Sequence, residues 1–132
     1  MKTFQQFLVS VLLAATPFAG FAGTVSGSVK LPKGEAIPPG ASVQVELRDV
    51  SRSDAGAMLL GKCDVRDGGG KNDAAFEIGY DDKKIAKDNA YAVSCRIVAK
   101  GKLLFINDAH VPVITRGAPA KDVELQVSKI KH

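Results

Sequence analysis

Two cysteines, two histidines and a scatter of serines and carboxylates are the groups through which this chain could do chemistry, and their spacing limits what that chemistry is. Cys63 and Cys95 lie far apart, with no Cys-x-x-Cys arrangement to lower a thiol pKa, so a redox role has little support. His110 and His132 have neither a His-x-x-x-His nor a Cys-x-x-Cys partner, which leaves a metal site without a ligand set. They read as surface histidines. No serine sits in a Gly-x-Ser-x-Gly elbow, and His110 is the one plausible base for it. Asp81 and Asp82 are adjacent in a polar segment, where nothing drives two carboxyl pKa values apart as acid–base work requires. Gly68, Gly69 and Gly70 are followed by no Lys-Ser/Thr pair and no helix start, so they make a flexible connector and not a phosphate cradle. The expectation is a chain without catalytic, metal or cofactor-binding residues, and not an enzyme.

The elements that position these residues begin after an export signal. Lys2 supplies a positive end, and Phe7 to Ala15 form an apolar stretch too short to span a bilayer. Pro17 ends that stretch. Gly20 and Ala22 are the small residues that precede cleavage, so residues 1–22 are expected to leave and the product to start at Gly23. Removing those 22 of the 132 residues leaves 110, enough for one domain, which would occupy 23–132. A lipoprotein needs a cysteine directly after the cut, whereas the first here is Cys63. The expectation is therefore a periplasmic protein with no lipid anchor and no transmembrane segment.

Composition excludes further classes. Losing Lys2 takes the formal charge from +4 to +3 with the signs interspersed, which favours solubility and selects no partner. Only Phe76, Tyr80, Tyr91 and Phe105 remain as aromatic residues after cleavage. Binding of single-stranded nucleic acid needs exposed rings as stacking platforms, and neither that nor sugar binding is supported.

Short alternating runs separated by turn residues fill the rest, the pattern of an all-β sandwich. Val25, Gly27, Val29 and Leu31 share a face of Thr24 to Leu31. PKGEAIPPG follows as a loop, and its Pro38, Pro39 and Gly40 turn the chain into a strand with Val43, Val45 and Leu47 on one face. Leu59, Gly61, Cys63 and Val65 are in phase, as are Phe76 and Ile78. DDKKIAKDN reads as a solvated loop pinned by Ile85, with one helical turn capped by Asp81 as the other reading. Tyr91, Val93, Cys95 and Ile97 share a face. Lys100-Gly101 is the clearest hairpin turn, leading into LLFIND. Pro112 marks AHVPVIT as an edge, and Val123, Leu125 and Val127 close the domain. Seven or eight mostly antiparallel strands result.

Cys63 and Cys95 both fall on inward phases. In an oxidising compartment this suggests a disulfide joining two strands, worth roughly 3–4 kcal/mol through loop closure; two separate buried thiols are the other reading.

Three stretches carry a resemblance: PPGASVQVELRDVSRSDA, FEIGYD with the later Ile85, and NAYAVSCRIVAKGKLLFINDAHVPVITRG. They are similar to the YbaY/YscW family of small bacterial envelope proteins, which includes the pilotins of type III secretion. The resemblance implies a β-sandwich in the bacterial envelope. It also implies a non-enzymatic protein that binds another envelope protein, a secretin-like subunit in the case of a pilotin, with peripheral outer-membrane association and a part in secretion-system assembly. Pilotins carry their cargo on their own lipid, and the missing cysteine departs from that pattern. Asp49 and Arg52 would form a salt bridge or cap a turn. The partner-binding surface is not marked, although an open sheet edge such as the one bearing Pro112 would accept a peptide. A rival reading is a small-ligand or inhibitor module whose pocket is covered by loops around Gly68 and Asp81.

Overall fold

Alternation along the chain produces nine strands in the computed structural model, which describes residues 23–52, 57–107 and 110–131. The segment expected to direct export, with its expected cut after Ala22, and His132 lie outside the described residues, as do Ser53, Asp54 and Ala55 of the first family stretch. The strands are β1 (Gly23–Lys30), β2 (Ser42–Asp49), β3 (Met58–Val65), β4 (Asp73–Tyr80), β5 (Tyr91–Ala99), β6 (Lys102–Ile106), β7 (Val111–Val113), β8 (Val123–Gln126) and β9 (Ser128–Lys129). They form two sheets, ordered β4-β1-β8 and β3-β2-β5-β6-β9, with β7 pairing with β5. Every pairing is antiparallel except β1 with β8.

The two sheets bury their inward phases against each other, which makes the all-β sandwich expected from the pattern. Val43, Val45 and Leu47 of β2 and Val93 and Ile97 of β5 are fully buried, facing Val25 and Val29 of β1 and Leu125 of β8. Each such side chain contributes about 1.5–3 kcal/mol by leaving water. Gly27 sits where β1 meets β8, and a methyl group there would stand 1.8 Å from the Val123 carbonyl oxygen. Only glycine lets the two backbones approach that closely.

The final alternating run divides between the sheets, which raises the strand number to nine. Val127 donates its N–H to Lys30 O at 3.0 Å, and Ile130 then donates to Leu104 O at 2.8 Å in the larger sheet. The chain thus closes one side of the sandwich. On the other side β3 and β4 lie together, and a methyl group on Gly61 would stand 2.7 Å from Gly79 O.

Turn chemistry is as the sequence indicates at Lys100 and Gly101, which have φ of 52° and 78° and join β5 to β6 through the two-residue loop of a hairpin. The glycine run is not a flexible connector. Gly70 N–H donates to Ile37 O at 2.7 Å and Ile37 N–H to Lys71 O at 2.8 Å, so this loop is fastened to the proline loop and Gly68 is buried. The segment after β4 contains one 3₁₀ turn, Asp82–Lys84, capped by Asp81, whose Oδ1 accepts from Lys83 N–H at 3.0 Å. The helical reading of that segment therefore holds over one turn, with Ile85 packed against the core.

The expected disulfide is not formed, and Cys63 and Cys95 are free thiols. Val45 of the central strand pairs with Cys63 on one side and Cys95 on the other, so two strand spacings separate the cysteines. At about 4.8 Å per spacing, their Cα atoms are well beyond the roughly 7 Å that a disulfide tolerates. Shared inward phase places two residues on one face but does not make their strands neighbours.

Candidate functional site

The family stretches converge at one end of the sandwich, where β2 ends, β5 begins and β7 ends. Asp49 organises the junction. Its Oδ1 accepts from Ser51 N–H at 2.9 Å and from Ser51 Oγ at 2.6 Å, while its Oδ2 accepts from Asn89 Nδ2 at 3.1 Å. Of the two roles expected of Asp49, the structure places it as the cap of a turn. These donors, the Ser51 hydroxyl foremost, hold the Asp49 carboxyl below its ordinary pKa, and the charge of Arg52 adds to the effect.

The loop after β7 docks on the same junction. Thr115 Oγ1 donates to Asn89 O at 2.7 Å, and Arg116 Nη2 donates to Asp88 O at 2.7 Å. Thr115 N–H also turns back to Val113 O at 2.8 Å around Ile114, whose φ is 73°. This is the rarer, positive-φ kind of γ-turn, uncommon for a β-branched residue. The motif residues Asp49, Ser51, Asn89, Thr115 and Arg116 thus fasten three loops together. Each makes a hydrogen bond within the junction, which makes it scaffold.

The edge bearing Pro112 is short. β7 contributes three residues against Tyr91, Ala92 and Val93, with an exposed proline at its middle. A second uncovered stretch is the start of β3, where Met58 is 66% and Leu59 42% exposed.

A second feature arises where β6 leaves β5 and β7 takes its place. β6 pairs with β5 as far as Arg96, and β7 rejoins at Val93, so the ladder is broken at Ser94 and Cys95. Asn107 fills the break. Its N–H donates to Cys95 O at 3.2 Å and its Oδ1 accepts from Cys95 N–H at 2.8 Å, so the Cys95 backbone is satisfied without a strand neighbour on that side. Above it the outer face of the sheet is indented by a notch of about 310 Å³, lined by Gln44, Glu46 and Arg48 of β2, Ser94 and Arg96 of β5, and Asn107 and His110.

The two arginines of the notch differ. Arg48 is committed: its Nε and Nη2 donate to Glu46 Oε1 at 3.3 and 2.9 Å, and its Nη1 donates to Ala57 O at 3.2 Å. Arg96 donates its Nε to Gln44 Oε1 at 3.1 Å, and among the described residues Nη1 and Nη2 have no partner. His110 stands exposed at the rim. Sequence reasoning passes over Arg96 because an outward-phase arginine looks like any solvated strand residue, and the break that forms the notch is invisible in the alternation.

Burial pushes the Cys95 thiol up to about 12 and raises Cys63 as well, with Cys63 also accepting a hydrogen bond from the Glu77 backbone. Neither is poised as a nucleophile. Among the described residues no group of three His, Cys, Asp or Glu stands together as a metal site, and no helix is long and apolar enough to cross a membrane. Asp81 is occupied in capping. The loops around Gly68 and Asp81 lie at opposite ends of β4, so they cannot cover one pocket together.

Comparison with known proteins adds a consistent set of likenesses. Residues 21–126 match the family model described as the type III secretion system lipoprotein chaperone, YscW. A curated relative from Escherichia coli (strain K12), described as the uncharacterized lipoprotein YbaY, is 32% identical over 101 residues, covering 76% of this chain. The chain spans about half of that relative, 53% of its length. The solved structure of an alternative pilotin from the type II secretion system of Vibrio cholerae is 35% identical, with a TM-score of 0.78 over 83% of this chain and 98% of the chain in that structure.

Proposed function

Because this chain belongs to the YscW family of type III secretion system lipoprotein chaperones, we propose that it is a non-enzymatic envelope protein that binds a secretin-like subunit and assists its assembly. The observation that carries this reading is the likeness to the alternative pilotin, which extends over 98% of that structure's chain. That likeness supports assigning the proposed activity to the sandwich itself.

The reading includes export of the segment before Gly23, cleavage after Ala22 and residence in the periplasm, associated peripherally with the outer membrane. Both cysteines lie within strands, at Cys63 of β3 and Cys95 of β5. Neither is placed to receive the lipid that the relatives' descriptions imply, and the reading is of a chaperone that works without acylation at either residue. Intact mass of the protein from a periplasmic extract is expected to begin at Gly23.

Binding is tested with the mature protein immobilised and a purified secretin subunit passed over it. Saturable binding is expected. A secretin subunit that shows none, while circular dichroism confirms a folded sandwich, would remove the proposed partner.

A further inference from the structure

Arg96 has a planar fork of donors with no described protein partner, held in place at one end and standing over a notch. We propose that this notch is a carboxylate-binding site, through which the protein grips an acidic side chain or the terminal carboxylate of the polypeptide it chaperones. The proposal rests on the reading of the protein as a binder of another envelope protein and adds the surface and the chemistry it recognises.

Geometry supports it first. A sheet with one solvated face would present an unbroken surface at β5, but the departure of β6 and the return of β7 open a hollow there. Its floor is closed by Asn107, which leaves the Cys95 backbone no need of a ligand. What a ligand meets is therefore the surrounding side chains.

Charge selects the ligand. Among the described residues Glu46 is the sole acidic one lining the notch, and its Oε1 receives Arg48 at 2.9 Å. That pair is internally neutral. Among the described residues the remaining charge belongs to Arg96, with His110 and Ser94 as further donors around the same hollow. Two parallel N–H groups of a guanidinium match the two oxygens of a carboxylate, a pairing stronger than a neutral hydrogen bond. The Nε bond to Gln44 fixes the plane of the fork, which reduces the rotamer freedom lost on binding.

Nuclear magnetic resonance titration of the mature protein tests this with three probes. They are an acetylated tripeptide amide with a central glutamate, an acetylated triglycine with a free terminal carboxylate, and acetate. At least one peptide is expected to give saturable shifts at Arg96 Nε–H, Ser94 and Asn107, weakened at least tenfold in Arg96→Gln. Glutamate peptide binding alone assigns the source to a side chain, and triglycine binding alone to a chain terminus. Shifts with acetate as strong as with either peptide, no saturable shift, or equal binding by Arg96→Gln would overturn the proposal. The secretin subunit separates the two readings. Equal binding to wild type and Arg96→Gln would overturn the notch and leave the chaperone reading standing; peptide binding at Arg96 with no secretin binding would support the notch and remove the partner.

Discussion

Cys63 and Cys95 occupy one row of the larger sheet with Val45 between them, each a direct neighbour of Val45 and neither a neighbour of the other. A domain that keeps two thiols without joining them draws its stability from the two-sheet core.

Thiol titration in denaturant on protein taken from the periplasm should therefore find two thiols per chain, and reductant should leave the melting temperature unchanged. In the native state Cys63, half-buried on β3, should be alkylated before Cys95, whose thiol is buried and has its pKa pushed up to about 12. A protein with no titratable thiol would contradict the strand order.

Asp49 should make stability depend on pH. Its hydrogen bonds hold the folded pKa below the unfolded value of about 3.9, so its contribution is present above about pH 4 and is lost as pH falls through the lower folded value. Replacement by alanine should cost about 1 kcal/mol in urea unfolding at neutral pH. The difference between wild type and Asp49→Asn should shrink in acid, and a difference independent of pH would assign the role elsewhere.

Gly27→Ala should be among the most damaging single changes outside the bulky core residues. Its methyl group would overlap the Val123 carbonyl, and separating β1 from β8 should cost about 3 kcal/mol or more. Loss of the cooperative thermal transition, or a fall in denaturant midpoint of that size, is the expected result. Gly34→Ala makes the comparison: its methyl group would meet nothing within 4 Å, so its cost is confined to the backbone strain of a side chain at a φ of 87°.

Much of this architecture is readable from the chain because alternation reports burial directly. Val43, Val45 and Leu47, or Tyr91, Val93, Cys95 and Ile97, declare their inward faces without reference to any other strand. Local turn chemistry is equally legible at Lys100-Gly101. Strand adjacency is not, since the period-two pattern is the same whichever strand lies alongside, and the disulfide expectation failed on that point. The switch of the last run from one sheet to the other also leaves no trace in the pattern. Val127 keeps phase with Val123 and Leu125 while the hydrogen bonds move from β1 to β6.

The same limit applies to function. Asp49, Ser51, Thr115 and Arg116 stand in the family stretches, yet the structure uses them to fasten loops. Arg96 and Asn107 acquire their interest only when β6 and β7 are seen to share β5 between them. A broken ladder is a relation between three strands, and no one of them carries it.

If this sandwich assists a secretin, the amount of assembled secretin in the outer membrane depends on it. In a strain lacking this protein, heat-resistant secretin multimer in the outer-membrane fraction should fall severalfold and return when the wild-type chain is restored. An unchanged amount of multimer in the same fraction would contradict the account.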